Sequence, residues 1–129
     1  MKKQKISDVV AVTILLFLLS VIVYNYLLTD NINNEIDENS RYTIGITGNS
    51  FGARHGSTVE YFYKVNNIEY RETQTKIKGV VNPAGKYIVQ FSSLNPKRSR
   101  ILFELEVSNY KIKVPDSGWD CIPDGVNVN

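Results

Sequence analysis

The sequence predicts an all-β domain, a small antiparallel barrel or sandwich of about five strands, preceded by one transmembrane α-helix. Three observations carry this reading. An unbroken apolar stretch, Val9 to Leu28, lies near the N-terminus. Beyond residue 40, β-branched residues, Tyr, Gly and Asn recur while Ala is nearly absent, a composition that favours strands. Apolar and polar residues there alternate with period two, in runs separated by turn-forming residues.

The chain has 129 residues, which suits one domain and an anchor rather than two domains. About 85 residues remain after the anchor and linker, enough for a modest core without covalent staples. The net charge of +2 is too small to imply a nucleic-acid partner. Cys121 is the single cysteine, so no internal disulfide forms, and no Cys/His set exists for zinc.

Residues 9–28 form the anchor. At ~1.5 Å per residue they span ~30 Å, the hydrocarbon thickness of a bilayer. Their Leu, Ile, Val and Phe side chains favour insertion by roughly 4–8 kcal/mol. Asn25 opposes this but lies near the far end, where Tyr24 and Tyr26 suit the interface. A cleaved signal peptide would have a shorter apolar region and an A-x-A-like site. Val23-Tyr24-Asn25-Tyr26 offers no small pair, and no cysteine follows for lipoprotein processing. Thr13 and Ser20, seven apart, would suit a partner helix, but no G-x-x-x-G marks a pairing face and a lone span tolerates both. Lys2, Lys3 and Lys5 precede the span; Asp30, Glu35, Asp37 and Glu38 follow it, with no Lys or Arg until Arg41. The predicted topology is a cytoplasmic N-terminus at residues 1–8 and everything after the span outside, in the cytoplasmic (inner) membrane.

Residues 29–40 are polar and acidic and read as a solvated linker with at most a frayed helical turn. The β-domain is expected over 41–114 and an irregular tail over 115–129. Tyr42, Ile44 and Ile46 alternate with Thr43, Gly45 and Thr47 as a first strand. Gly48 to Ser57 is a Gly-rich loop. Thr58–Val65 and Ile68–Thr73 form a hairpin around Asn66-Asn67, since Asn tolerates the positive φ of a two-residue turn. That turn places Val65 opposite Ile68, Lys64 opposite Glu69, Tyr63 opposite Tyr70 and Phe62 opposite Arg71. Val59, Tyr61, Tyr63, Val65, Ile68 and Tyr70 then share one face, and a one-residue slip would mix the faces. After an irregular connection, Gln74 to Gly85, come a strand over Lys86–Phe91, a turn on Asn95-Pro96, and a strand with Ile101, Phe103, Leu105 and Val107 on one side. Tyr110, Ile112 and Val114 offer a short sixth strand.

No motif nominates chemistry. Gly48, Gly52 and Gly56 lack the G-K-[ST] and following helix of a phosphate loop, and read as a flexible hairpin loop. His55, the single histidine, has no G-x-S-x-G or second histidine to work with. Lys97, Arg98 and Arg100 surround the Asn-Pro turn; anionic headgroups would suit them, but a solvated turn accounts for them. Glu104 and Glu106 follow from strand alternation and read as a solvated face. Asp116, Asp120 and Asp124 do not match a calcium loop. Trp119 reads as packing on the sheet edge. No catalytic, cofactor-binding or metal-ligating residue is nominated, and no cofactor is expected.

Three stretches carry a resemblance: Tyr61-x-Tyr63-x-Val65-Asn66-x-x-x-Tyr70; Gly85-Lys86-x-x-Val89-x-Phe91-Ser92; and Asn95-Pro96-x-x-Ser99-x-Ile101-Leu102. Together they resemble a domain family of unknown function found in small bacterial single-span membrane proteins, with the pattern Y-x-Y-x-V-N-G-x-x-Y, G-x-x-Y-x-V-x-Y and N-P-x-x-S-x-I-L. The resemblance covers about residues 41–107, with Asn67 in place of the turn glycine. It implies a small antiparallel β-domain beside a membrane helix, and no activity or site residues. The expectation is a non-catalytic, membrane-anchored envelope protein that binds another envelope protein or the cell wall; the alternative is an immunity-type or inhibitor protein acting at the membrane.

Overall fold

The computed structural model describes residues 2–108 and 111–128, with residues 2–4, 54, 55 and 128 described through their backbone alone. The chain divides into two units, 1–34 and 35–129. The first is the bulk of helix α1 (Lys2–Glu38). Its stretch Lys5–Glu38 is long and apolar enough to cross a membrane by length and composition. The large apolar side chains from Val9 to Leu28 are all exposed. Its polar side chains turn back onto the helix. Thr13 Oγ1 donates to the Val9 carbonyl (2.8 Å), Ser20 Oγ to Phe17 (2.7 Å) and Asn25 Nδ2 to Val21 (2.8 Å). Such back-bonding meets the hydrogen-bonding needs of these groups without a partner helix.

Residues 29–38 are helical, where the sequence suggests a linker. The reason lies in the second unit, which begins at Glu35. Ile36 is 1% exposed, and Glu35 and Asp37 pair with Arg98 and Arg100. The final carbonyls of the helix are also met: Asn39 N and Nδ2 donate to Glu35 O, and Ser40 Oγ donates to Ile36 O (2.7 Å).

The β-domain is one rolled antiparallel sheet. Its strands are β1 (Ser40–Phe51), β2 (Thr58–Val65), β3 (Ile68–Thr75), β4 (Lys86–Ser92), β5 (Ser99–Glu106) and the two-residue β6 (Asn127–Val128). The order is β3-β2-β1-β4-β5-β6, with the long β1 at the centre. Curling brings β3 and β5 towards each other without joining them, which gives the connectivity of a partly open five-stranded Greek-key barrel. The Gln74 side chain bridges the seam: Nε2 donates to Ile101 O (2.9 Å), and Oε1 accepts from Ile101 N (3.0 Å).

The β2–β3 hairpin has the expected register, Val65 opposite Ile68 through Phe62 opposite Arg71. Val59, Tyr61, Tyr63 and Val65 are buried and Tyr70 half-buried, whereas Ile68 at the turn is exposed. Tyr61, Tyr63 and Tyr70 stack in sequence, with ring centroids 5.8 and 5.4 Å apart. Tyr87, Val89, Phe91, Ile101 and Phe103 complete the interior.

With so many rings inside, the central strand has room only for small residues. Thr43, Gly45 and Thr47 face inward, and a Cβ on Gly45 would lie 2.4 Å from Val89 Cγ2. The two threonine hydroxyls are used: Thr47 Oγ1 donates to Val81 O (2.8 Å) and Thr43 Oγ1 to Lys64 O (3.4 Å). Ile44 and Ile46 therefore point outward, the reverse of ordinary strand patterning.

Three further details differ from expectation. β1 runs on to Phe51 with a bulge between Thr47 and Ser50, and the short α2 (Ala53–Gly56) leads into β2, so the Gly-rich connection is shorter than Gly48 to Ser57. The sixth strand is Asn127–Val128; Lys111–Val114 is not a strand, and Tyr110 lies outside the described residues. The tail is not merely irregular. Trp119 bridges Tyr42, with N to O distances of 2.7 and 2.9 Å. Arg41 clasps this segment, donating to Ser117 O (2.8 Å), Gly118 O (3.0 Å) and Asp120 Oδ1 (2.6 Å). Gly118 sits at φ 78°, where a Cβ would lie 2.9 Å from Phe91 Cζ; only glycine lets the tail lie on that ring.

Candidate functional site

The outer face of the sheet has two halves. Over β4 and β5 it is covered by the last turn of α1. Glu35 accepts from Ser92 Oγ (3.0 Å) and pairs with Arg98, Asp37 pairs with Arg100, and Arg100 Nε also donates to Gln90 Oε1 (2.8 Å). Gln90 Nε2 in turn donates to Ser40 Oγ (2.7 Å). Over β1 and β2 the outer face stays open and forms a groove of about 470 Å³.

Ile46 and Phe62 are direct cross-strand partners on the floor of this groove, with Ile44 beside them. Ile46 is 44% exposed. The Arg71 guanidinium lies 5.7 Å from the Phe62 ring centroid and also pairs with Glu60, which fixes the ring's far side. The opposite wall comes from the segment after β5, through Val107, Ile112 and Val114. Asn66 N donates to Asp116 O (2.7 Å) and ties that wall to the β2–β3 turn. Lys64 and its cross-strand partner Glu69 supply charges of both signs at the rim. An apolar floor with a mixed polar rim suits a segment of a macromolecule better than a small anion or a metal.

The lining includes no histidine or cysteine. Among the described residues no group of His, Cys, Asp and Glu is placed to hold a metal ion. Nor does any buried polar side-chain atom among them lack a hydrogen-bond partner. The tyrosines with perturbed acidity are core residues. Burial pushes the Tyr61 hydroxyl up to about 12, and the Tyr63 hydroxyl is raised as well by the same loss of solvent. Tyr61 Oη bonds Ser99 Oγ (2.8 Å) and Tyr63 Oη donates to Pro96 O (2.6 Å), so both rings serve the interior.

The residues weighed in the sequence do not converge on one place. His55 lies in α2 on the connection between β1 and β2. Arg98 and Arg100 are not a solvated turn; they are held by Glu35 and Asp37, while Lys97 is exposed. Glu104 is exposed, as expected of a strand's outer side. Asp120 serves Arg41, and Cys121 is exposed. Ile44 and Ile46 carried a signal that alternation hides: their apolar character reads as core until the size of the facing rings is considered, whereas Phe62 lies on the outer face as the hairpin register expects. No family model, no curated protein and no solved structure matches the chain.

Proposed function

We propose that the chain is a membrane-anchored envelope protein whose β-domain lies outside the cytoplasm and binds an extended segment of another envelope protein in the groove over β1 and β2. The observation that carries this reading is the outward placement of Ile44, Ile46 and Phe62. A small domain with apolar side chains to spare would gain by burying them; placed outward along a groove, they supply the apolar centre that protein contacts need. The apolar α1 supports the anchor, and Lys2, Lys3 and Lys5 ahead of it support an inside N-terminus. No catalysis is proposed, because the groove holds no nucleophile with a base to activate it.

The test is photo-crosslinking in living cells, with a photoreactive residue at Ile46, at Phe62, or at Lys78 on an exposed connection remote from the groove. The reading predicts a discrete protein adduct from the first two positions and none from Lys78, with the Phe62 adduct lost in an Ile46→Asp background. An adduct to a protein arriving from outside the cell would favour the inhibitor role instead. Retention on purified cell wall without any protein adduct would move the partner to the wall.

A further inference from the structure

The turn between β4 and β5 is built to hold one apolar side chain away from the domain. Its backbone donors are all used: Ser93 N on Asn39 O (2.9 Å), Leu94 N and Asn95 N on Ser92 Oγ (3.2 and 3.3 Å), Lys97 N on Asn95 Oδ1 (3.3 Å) and Arg98 N on Asn95 O (2.9 Å). Pro96 has no N–H, and its carbonyl accepts the Tyr63 hydroxyl. Leu94, in the middle of this turn, is 73% exposed, more than any other large apolar side chain among the described residues. A single exposed leucine needs no explanation where a loop is loose. Here the backbone is tied at every step, and the side chain is still left out.

The turn's position says what it meets. Ser93 is bonded to Asn39, which directly follows the last residue of α1, and β4 ends opposite Ser40, where β1 begins. The turn therefore sits at the end of the barrel where the chain enters from its apolar helix. The Asn66-Asn67 turn is at the same end; Tyr63, which precedes it on β2, donates to Pro96 O, and Ile68, which follows it, is also exposed. Glu35, where this unit begins, follows Leu28, the end of the apolar stretch, by seven positions in the chain. Arg98 and Arg100 are neutralised by Glu35 and Asp37, so among the described residues Lys97 is the cation of this turn without a carboxylate in an ion pair. Phe51, at the far end of β1, and Ile77 and Val81, on the connection after β3, are also exposed, but at the opposite end of β1, away from the chain's entry.

We propose that the Ser93–Lys97 turn, with Ile68 at the same end of the barrel, is a membrane-surface contact: Leu94 enters the boundary between headgroups and acyl chains, and Lys97 meets a lipid phosphate. This rests on the reading of α1 as a membrane anchor. The contact would fix which face of the barrel looks away from the bilayer, and so how the groove is presented.

The test uses the full-length chain in a Cys121→Ser background, reconstituted in vesicles of phosphatidylethanolamine and phosphatidylglycerol. An environment-sensitive dye is attached at Leu94→Cys, Ile68→Cys or Val81→Cys. The proposal expects the first two labels to be quenched by bromine-bearing acyl chains and shielded from aqueous iodide several-fold relative to the Val81 label. Adding Lys97→Glu should reduce the shielding at Leu94. Equal iodide access at all three labels in protein that floats with the vesicles would overturn the proposal and leave the anchor intact. Failure to float would remove both.

Discussion

Asn66 and Asn67 hold φ of 50° and 64°, a left-handed pair that a two-residue hairpin turn requires. Side chains other than Gly, Asn and Asp lose energy there because Cβ crowds the carbonyl oxygen. Asn67→Gly is expected to be neutral or slightly stabilising, and Asn67→Val destabilising, since a β-branched side chain resists positive φ. The same hairpin separates two adjacent aromatics. Tyr63 is 2% exposed within the ring stack, whereas Phe62 is half-buried on the groove floor. Tyr63→Ala should therefore cost roughly 3–5 kcal/mol, the usual range for a buried aromatic, and Phe62→Ala clearly less. Thermal melts of the four variants check both expectations. A larger loss for Phe62→Ala would mean that the faces of β2 are reversed.

Elements are joined here by pairs far apart in sequence. Glu35 and Arg98 are 63 positions apart, as are Asp37 and Arg100. Each pair is partly solvated, so its contribution is about 1 kcal/mol or less. Glu35 also accepts from Ser92, so losing it costs more than an exposed pair would. Glu35→Arg is expected to lower the melting temperature, and the exchange Glu35→Arg with Arg98→Glu to recover part of the loss; no recovery would mean the pair does not join helix to sheet. These elements also show where sequence reading succeeds and where it stops. The hairpin was legible because its partners are neighbours in sequence, and because a one-residue slip would bring Tyr63 out and Phe62 in. The end of α1 was not legible: residues 29–38 form a stable helix only because Ile36 is buried and two arginines from a distant turn meet its carboxylates. The tail was not legible, and Trp119 pairs through its backbone with the central β1 rather than with a sheet edge. The tail's clasp depends on Arg41 reaching backbone carbonyls, and backbone acceptors leave no mark in sequence. The groove was missed for a different reason. The apolar residues of β1 face outward because large rings already fill the interior, a constraint set by β2, β4 and β5 together.

Over the whole molecule, the two perturbed tyrosines link stability to pH. Burial raises Tyr61 from an ordinary 10.0 to about 12, and Tyr63 is raised in the same direction. In the unfolded chain both would ionise near 10, so the folded state binds more protons above that pH. Stability from this source is fully present below about pH 10 and is lost as pH climbs through the folded values. Melting temperature should fall across that alkaline range, with tyrosinate absorbance from these two residues appearing only as the domain unfolds. Tyr61→Phe with Tyr63→Phe should flatten the alkaline limb.

The proposed function depends on a single apolar helix that carries this β-domain to the far side of a membrane. A C-terminal fusion after Asn129 to a reporter active only outside the cytoplasm tests it most directly, in the wild type and in a Lys2→Glu, Lys3→Glu, Lys5→Glu variant. The expected result is an active reporter in the wild type, in membranes that survive a carbonate wash, and reduced or lost activity in the variant. A fusion that is inactive outside while its cytoplasmic counterpart is active, or active material released from membranes with an N-terminus between Tyr24 and Asn31, would contradict it.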